Sequence, residues 1–322
     1  RALSLLFLAF FLFKALWPRL RMLRDYVALM KVLYALALIT VVMSVFLFLV
    51  MRSATVRPYT GAFQGLFGNP NTLGMVYAVL FPVVVARFYY RKGLLPALLV
   101  VAVFVFLVMS KSRAGLLGAF FGTAAFYASY YGKKIWVMAA LVLLFLIPYT
   151  LLQDQATVMD QAEQDFMRGE TSISQYGSGR FNMWMSAFER FKRRPFTGYG
   201  FGTGGDWYLP SGEPFRYHSS FTQIGVELGV IGFLFFFVPM GYAGTRTIQF
   251  HFVHVGNPRV RAVIGGLMGG WLGGALNSFF ESWLFSVGNI ATVLAWICFA
   301  AGVKSMSDAA LLDAEYKNAG TR

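Results

Sequence analysis

Met30–Met51 reads MKVLYALALITVVMSVFLFLVM, 22 residues in which Lys31 is the one charge. An α-helix rises 1.5 Å per residue, so about 20 apolar residues cross the ~30 Å hydrocarbon core of a bilayer. The same reading spreads in both directions from that stretch. Comparable apolar runs lie at 2–17, 71–90, 94–109, 114–131, 135–152, 219–243, 262–280 and 283–303, which together with 30–51 predict about nine membrane-spanning helices. Of the 322 residues 57% are hydrophobic and 13% charged, and mean hydropathy is +0.60; a soluble domain carries roughly 25% charged residues. A soluble globular fold and a disordered chain are excluded. Cys298, the only cysteine, leaves no disulfide scaffold or structural zinc module to build. The first residue is Arg1, already inside an apolar run, so the expectation is that further residues precede it.

A formal charge of +14 suggests a nucleic-acid binder until its distribution is read. The connections Pro18–Lys31, Arg87–Lys92, Lys133–Lys134 and Arg246–Arg261, with Lys14 and the C-terminal tail, hold 16 of the 28 basic residues. All of them fall on one side of a nine-helix chain, and by the positive-inside rule that side is cytoplasmic. The short connections on the other side hold five: Arg1, Arg52, Arg57, Lys111 and Arg113. The expected organisation is a transmembrane bundle of about six spans over 1–152, an outer loop over 153–217, transmembrane helices over 218–304 and a cytoplasmic tail over 305–322. Membrane lipids are then surroundings and partner, and nucleic acid is not a partner.

The outer loop contains eight of the 14 acidic residues, and its length marks a segment with its own task. Within it Phe181, Trp184, Met185, Phe188 and Phe191 recur at helical spacing, with Arg180, Asn182, Glu189 and Lys192 turned elsewhere. That pattern predicts an amphipathic helix, suited either to the membrane–water boundary or to packing on the bundle. Gly200, Gly202 and Gly205 satisfy G-x-G-x-x-G literally, but without a βαβ context they read as a turn that permits close backbone approach. Two ridges in one apolar run, Gly265/Gly269/Gly273 and Gly266/Gly270/Gly274, predict close helix–helix packing.

Arg52, Arg57, Lys111 and Arg113, joined by Arg180, Arg190, Lys192–Arg194 and Arg216, place cations on the side where they are disfavoured. Two readings fit: snorkelling to lipid headgroups, or an anionic ligand matched by guanidinium forks. His218 stands at the same boundary beside Arg216, where neighbouring cations favour the neutral imidazole that a general base requires. Glu227 and Glu281 are ionisable groups inside or at the ends of spans, and so are functional candidates as well. Asp154, Asp160, Glu163 and Asp165 form the densest carboxylate group; solvated loop acids describe them better than a Mg or Mn site. No metal ligand is assigned.

Five motifs, in order, then carry a resemblance. They are Gly68-Asn-Pro-Asn-Thr-Leu-Gly74, Ser110-Lys-Ser-Arg-Ala-Gly115, Gly179-Arg180 followed by Trp184, Pro195 leading into Gly198-Tyr-Gly-Phe-Gly202, and His218 followed by Glu227-Leu-Gly229. Over residues 68–229 the chain resembles the O-antigen ligase and polymerase family, and the turn at Phe280-Glu281-Ser282 is similar to that family's end region. The resemblance implies an all-α, GT-C-like polytopic transmembrane bundle in the bacterial inner membrane, with one large periplasmic loop. It implies a glycosyltransferase whose donor is an undecaprenyl-diphosphate glycan, with no nucleotide sugar, ATP, other cofactor or obligatory metal. The acceptor is the lipid A core in a ligase, as in lipopolysaccharide biosynthesis, or a second lipid-linked glycan in a polymerase. By motif position Arg113 and Arg180 correspond to diphosphate-holding arginines and His218 to an essential histidine, with Asn71 and Trp184 as further candidates. The family often has Asn after its histidine, where this chain has Ser219.

The expected chemistry joins these readings. Arg113 and Arg180, assisted by Arg52, Arg57 or Arg216, bind the diphosphate; His218 takes the acceptor proton; Glu281 or Glu227 orients the histidine or replaces it. Two other classes share some of these features. A lipid-linked-glycan transporter would also collect outer arginines but calls for repeated halves with broken helices, and a metal-dependent protein O-oligosaccharyltransferase would use Glu163 and Asp165.

Overall fold

The computed structural model describes residues 2–58, 60–131, 180–207, 217–254, 257–286 and 288–319. Among these the fold is all-α, with β pairing confined to an isolated antiparallel bridge between Val56 and Phe63. The helices are α1 (Ala2–Phe10, continued as a π-helical stretch over Phe11–Leu16), α2 (Leu23–Val50), the single turn α3 (Arg52–Thr55) and α4 (Pro70–Tyr90). They continue with α5 (Leu94–Met109), α6 (Arg113–Tyr131), α7 (Arg180–Arg193), α8 (Ser220–His254), α9 (Pro258–Phe280) and α10 (Ile290–Ala319). By length and composition five described helices can cross a membrane, namely Leu23–Val50, Pro70–Tyr90, Ser220–Thr247, Pro258–Phe280 and Ile290–Asp308. These are the long apolar helices of a multi-pass membrane protein. Leu94–Met109 is a shorter apolar helix. The run expected at 135–152 lies outside the described residues.

Short polar side chains start these helices by taking the otherwise unbonded first-turn amides. Asn69 Oδ1 accepts from the Asn71 amide (2.8 Å) and Asn257 Oδ1 from Arg259 (2.8 Å), each ahead of a proline at the first helical position. Asn289 Oδ1 caps α10 through Ala291 (2.9 Å), and Ser112 Oγ accepts from Gly115 at the start of α6 (3.2 Å). Asn289 also explains a shifted boundary. The last apolar run begins at 283, but residues 281–286 form a largely buried turn and the helix starts at Ile290.

Central and outer helices differ in what they bury. The most apolar windows of α4 and α9 are 72% buried, against 28% for α2 and 22% for α8, so α4 and α9 form the protein-facing centre and α2 and α8 the rim. Val42, Phe46 and Leu49 of α2 and Ile231, Leu234 and Phe235 of α8 are exposed, as lipid-facing side chains must be. Glycine makes the centre dense. A Cβ on Gly122 would lie 2.4 Å from the Gly269 carbonyl oxygen, and one on Gly118 2.5 Å from that of Gly273. Hence one ridge of α9 seats on α6. On the other ridge, Gly270 faces the Val79 carbonyl of α4 and the Cys298 sulfur of α10. Such contact distances exclude any side chain and maximise dispersion between helices.

Alternation of helix direction gives the bundle two distinct ends. α2, α5 and α9 run toward the end that carries Arg113; α4, α6, α8 and α10 run away from it. At the far end Tyr26 OH donates to Asp308 Oδ2 (2.7 Å) and Lys304 pairs with the same carboxylate. The Arg113 end gathers the loops considered next.

Candidate active site

Two of the sequence motifs interlock. A Cβ on Gly74 would sit 2.4 Å from Ser112 Oγ, and one on Gly115 would sit 2.7 Å from the Gly74 Cα. The Gly68–Gly74 and Ser110–Gly115 segments therefore touch backbone to backbone, and Arg113, exposed at the first residue of α6, is held beside them. Lys111, in left-handed conformation (φ 54°), donates from Nζ to the Thr60 carbonyl (2.8 Å), and the Phe63 amide donates to the Met109 carbonyl (2.8 Å). These bonds fasten residues 56–63, and with them exposed Arg57, onto the turn that carries Arg113. Arg52 is exposed in α3 with its guanidinium 5.5 Å from the Phe48 ring. Asn71 is half-buried in the first turn of α4.

The glycine-rich loop has a different partner. α8 is broken at Gly229 (φ 66°, ψ −169°), which frees backbone groups that a membrane cannot hydrate. The loop supplies what is missing. Val230 donates to the Pro195 carbonyl (2.8 Å), Ile231 to that of Phe196 (3.3 Å), and Gly200 donates to the Glu227 carbonyl (2.7 Å). Gly198 and Gly229 permit this approach, since a Cβ on either would fall 2.3–2.4 Å from the opposite backbone. The Glu227 side chain is fully buried and closes the arrangement: Oε2 accepts from Gly202 N (2.7 Å), Oε1 from Gly204 N (3.3 Å) and from Gln223 Nε2 (3.2 Å). G-x-G-x-x-G thus wraps a carboxylate of its own chain, the same anion preference that phosphate loops exploit.

His218 precedes α8, half-buried and in left-handed conformation (φ 49°), a backbone region uncommon for residues other than glycine but one that His enters more readily than most. Two residues on, buried Ser220 Oγ accepts from the Trp283 and Leu284 amides (both 3.0 Å) and donates to the Glu281 carbonyl (3.1 Å). One hydroxyl thereby ties the start of α8 to the turn that carries Glu281, which is 7% exposed. His218 and Glu281, 63 positions apart in sequence, belong to one corner of the bundle.

α7 lies against this corner. Ala187, Tyr217 and Val226 are buried together, flanked by Phe191, Tyr199 and Trp207. The Arg190 guanidinium stacks over Trp207 (4.4 Å) and that of Arg194 over Tyr199 (5.0 Å), so these two cations serve to dock α7. Met185 and Phe188 remain exposed, which divides the expected apolar face: Phe191 packs on the bundle and the other two look outward. Trp184 is half-buried, with its indole nitrogen lacking a hydrogen-bond partner. Arg180 opens α7. Arg216 and the acids Asp154, Asp160, Glu163 and Asp165 lie outside the described residues, and among those described no three His, Cys, Asp or Glu gather as a metal site.

Below the loop a cavity of about 530 Å³ runs between α1 and α10. At the Arg113 end it is lined by Phe201 from the glycine loop, Leu228 at the helix break and Phe285 from the turn that follows α9. Its depth is apolar throughout, reaching Leu12, Phe299 and Val303. Sequence reading missed Ser220, Gln223 and this cavity. The Ser219-Ser220 pair at the head of an apolar run was a helix-start signal, whereas no sequence pattern reports which distant amides a hydroxyl will accept.

Residues 97–237 match the model of a family described as O-Antigen ligase. No curated protein matches the chain.

Proposed function

We propose, on the premise that residues 97–237 belong to the O-antigen ligase family, that the protein is a ligase-type glycosyltransferase. Membership carries a glycan-transfer role of the ligase or polymerase type. The finer reading is that it moves a glycan from undecaprenyl diphosphate to the lipid A core at the periplasmic face of the bacterial inner membrane. In this reading the chain makes about nine spans in a GT-C-like bundle, and the Arg113 end faces the periplasm. The observation that supports it is an apolar cavity reaching Phe201, Leu228 and Phe285 at the same end of the bundle at which Arg52, Arg57 and Arg113 stand exposed. A lipid diphosphate has the complementary shape, a long hydrocarbon joined to a compact anion.

The transfer is a single displacement. The acceptor hydroxyl oxygen bonds to the anomeric carbon as the bond from that carbon to the diphosphate oxygen breaks, the hydroxyl proton passes to His218, and the negative charge stays on the leaving diphosphate. Arg113 and Arg180, with Arg52, Arg57 and Arg216, offset that charge. Glu281 orients the imidazole or replaces it as base. Glu227 holds the glycine loop as a positioning residue, and α7 covers the corner and limits water. Asn71 and Trp184 serve as acceptor or sugar contacts in this reading.

The test incubates the purified protein with an undecaprenyl-diphosphate glycan in EDTA, with and without lipid A core, and follows product size. Product only with lipid A core supports the ligase. Lengthening of the lipid-linked glycan without it assigns a polymerase, which the same donor site serves equally well, and donor binding without product overturns the enzyme reading. His218→Asn is expected to cut transfer by about 10²–10⁴-fold, the span of a lost general base, with the fold kept because Asn tolerates left-handed backbone. Near-normal transfer by that variant would remove His218 from the mechanism.

A further inference from the structure

At the end opposite the candidate active site, Arg87 occupies the last turn of α4 with its guanidinium 5.8 Å from the ring centres of both Tyr34 and Tyr90. Arg87 Nε and Nη1 and the Tyr34 hydroxyl are buried, and none of the three has a hydrogen-bond partner. Placement at a helix C-terminus accounts for the positive charge but leaves those donors unused, and a buried donor without an acceptor is destabilising.

Among the described residues no carboxylate is placed as its counter-charge. Between Asp25 and Asp154 the sequence contains no Asp or Glu. The carboxylates described at this end are engaged elsewhere: Asp25 accepts from the Arg21 and Met22 amides, and Asp308 takes Tyr26 and Lys304. The surroundings are cationic instead, with Lys31 one turn before Tyr34 and Arg91 and Lys92 just past Tyr90, all exposed. Beside them Tyr89 is ringed by Tyr127, Tyr130 and Tyr131 at 5.2–6.1 Å, the kind of aromatic cluster that sits at headgroup level.

We infer that Tyr34 and Arg87, rimmed by Lys31, Arg91 and Lys92, form a binding site for a phosphate oxyanion, supplied by the headgroup of an anionic membrane lipid. The guanidinium supplies charged donors to phosphate oxygens and the phenol adds another. The flanking cations attract the remaining headgroup charge. The site is independent of glycan transfer and lies in the opposite leaflet.

Native mass spectrometry of the full chain in detergent tests this, with phosphatidylglycerol as the lipid probe and inorganic phosphate as the competing free anion. The wild type is expected to retain one phosphatidylglycerol that phosphate does not displace. Arg87→Gln should weaken retention by about tenfold or more, the equivalent of one charge-assisted hydrogen bond. Tyr34→Phe, which removes one oxygen and leaves the packing, should weaken it by about threefold or more, and keeps the test decisive if Arg87→Gln does not fold. Equal retention in wild type and the folded variants overturns the site. Displacement of the lipid by phosphate, or retention of phosphate in its place, overturns the lipid as source.

Discussion

The α4–α6–α9 centre and the α8 break both rest on glycine, to opposite ends. In the centre, Gly118, Gly122, Gly269 and Gly273 bring unbroken helices together by packing. At the break, Gly198 and Gly229 bring a loop onto a helix that has given up its own bonds, so the amides of 230 and 231 depend on Pro195 and Phe196. The first use makes a scaffold whose parts are stable through packing. The second makes a joint in which loop and helix are each other's backbone partners, on the helix that begins two residues after His218.

That contrast predicts graded damage. Gly122→Leu drives a side chain into the Gly269 carbonyl and should leave no folded monomer by fluorescence-detected size exclusion, since overpacking a tight core costs about 1–3 kcal/mol even where neighbours can yield. A monodisperse wild-type-like peak would show that the centre gives way more easily than its contacts imply. Glu227→Ala takes the acceptor from two glycine amides and Gln223, a loss of about 3 kcal/mol or more in thermal or denaturant unfolding, and should abolish transfer. Glu227→Gln keeps one accepting oxygen and should fall between the two; an unchanged midpoint in the alanine variant would dissolve the joint as described. Ser220→Ala should cost about 1–3 kcal/mol, because the Trp283 and Leu284 amides lose their acceptor. Its signature is a larger loss of transfer than of stability, as the turn bearing Glu281 slips from the start of α8, and equal losses would reduce Ser220 to a packing residue.

The helices were legible in the sequence where hydropathy and punctuation coincide. The run at 94–109 is α5 residue for residue, and 71–90 is α4 less its proline, because Gly93 and Asn69-Pro70 bound them with residues that have one structural use there. Hydropathy failed at Trp283-Leu284-Phe285, where an apolar buried turn reads like helix until the amides are seen to reach Ser220. α2 starts seven residues before the apolar run because the Asp25 carboxylate caps amides on the charged side of the boundary. At the candidate site, the glycine ridges of α9 were readable as packing. The glycine loop was readable as a close approach but not as a clasp on Glu227, since the two are 25 positions apart and the signal is a bond between backbone and side chain.

Cys298 faces Gly270 from the middle of α10 and is fully buried, and it is the chain's only thiol. The protein therefore carries its own single-site opening sensor. A membrane-permeant maleimide reaches that sulfur when α9 and α10 separate, so its labelling rate at Cys298 reads the breathing of the central interface.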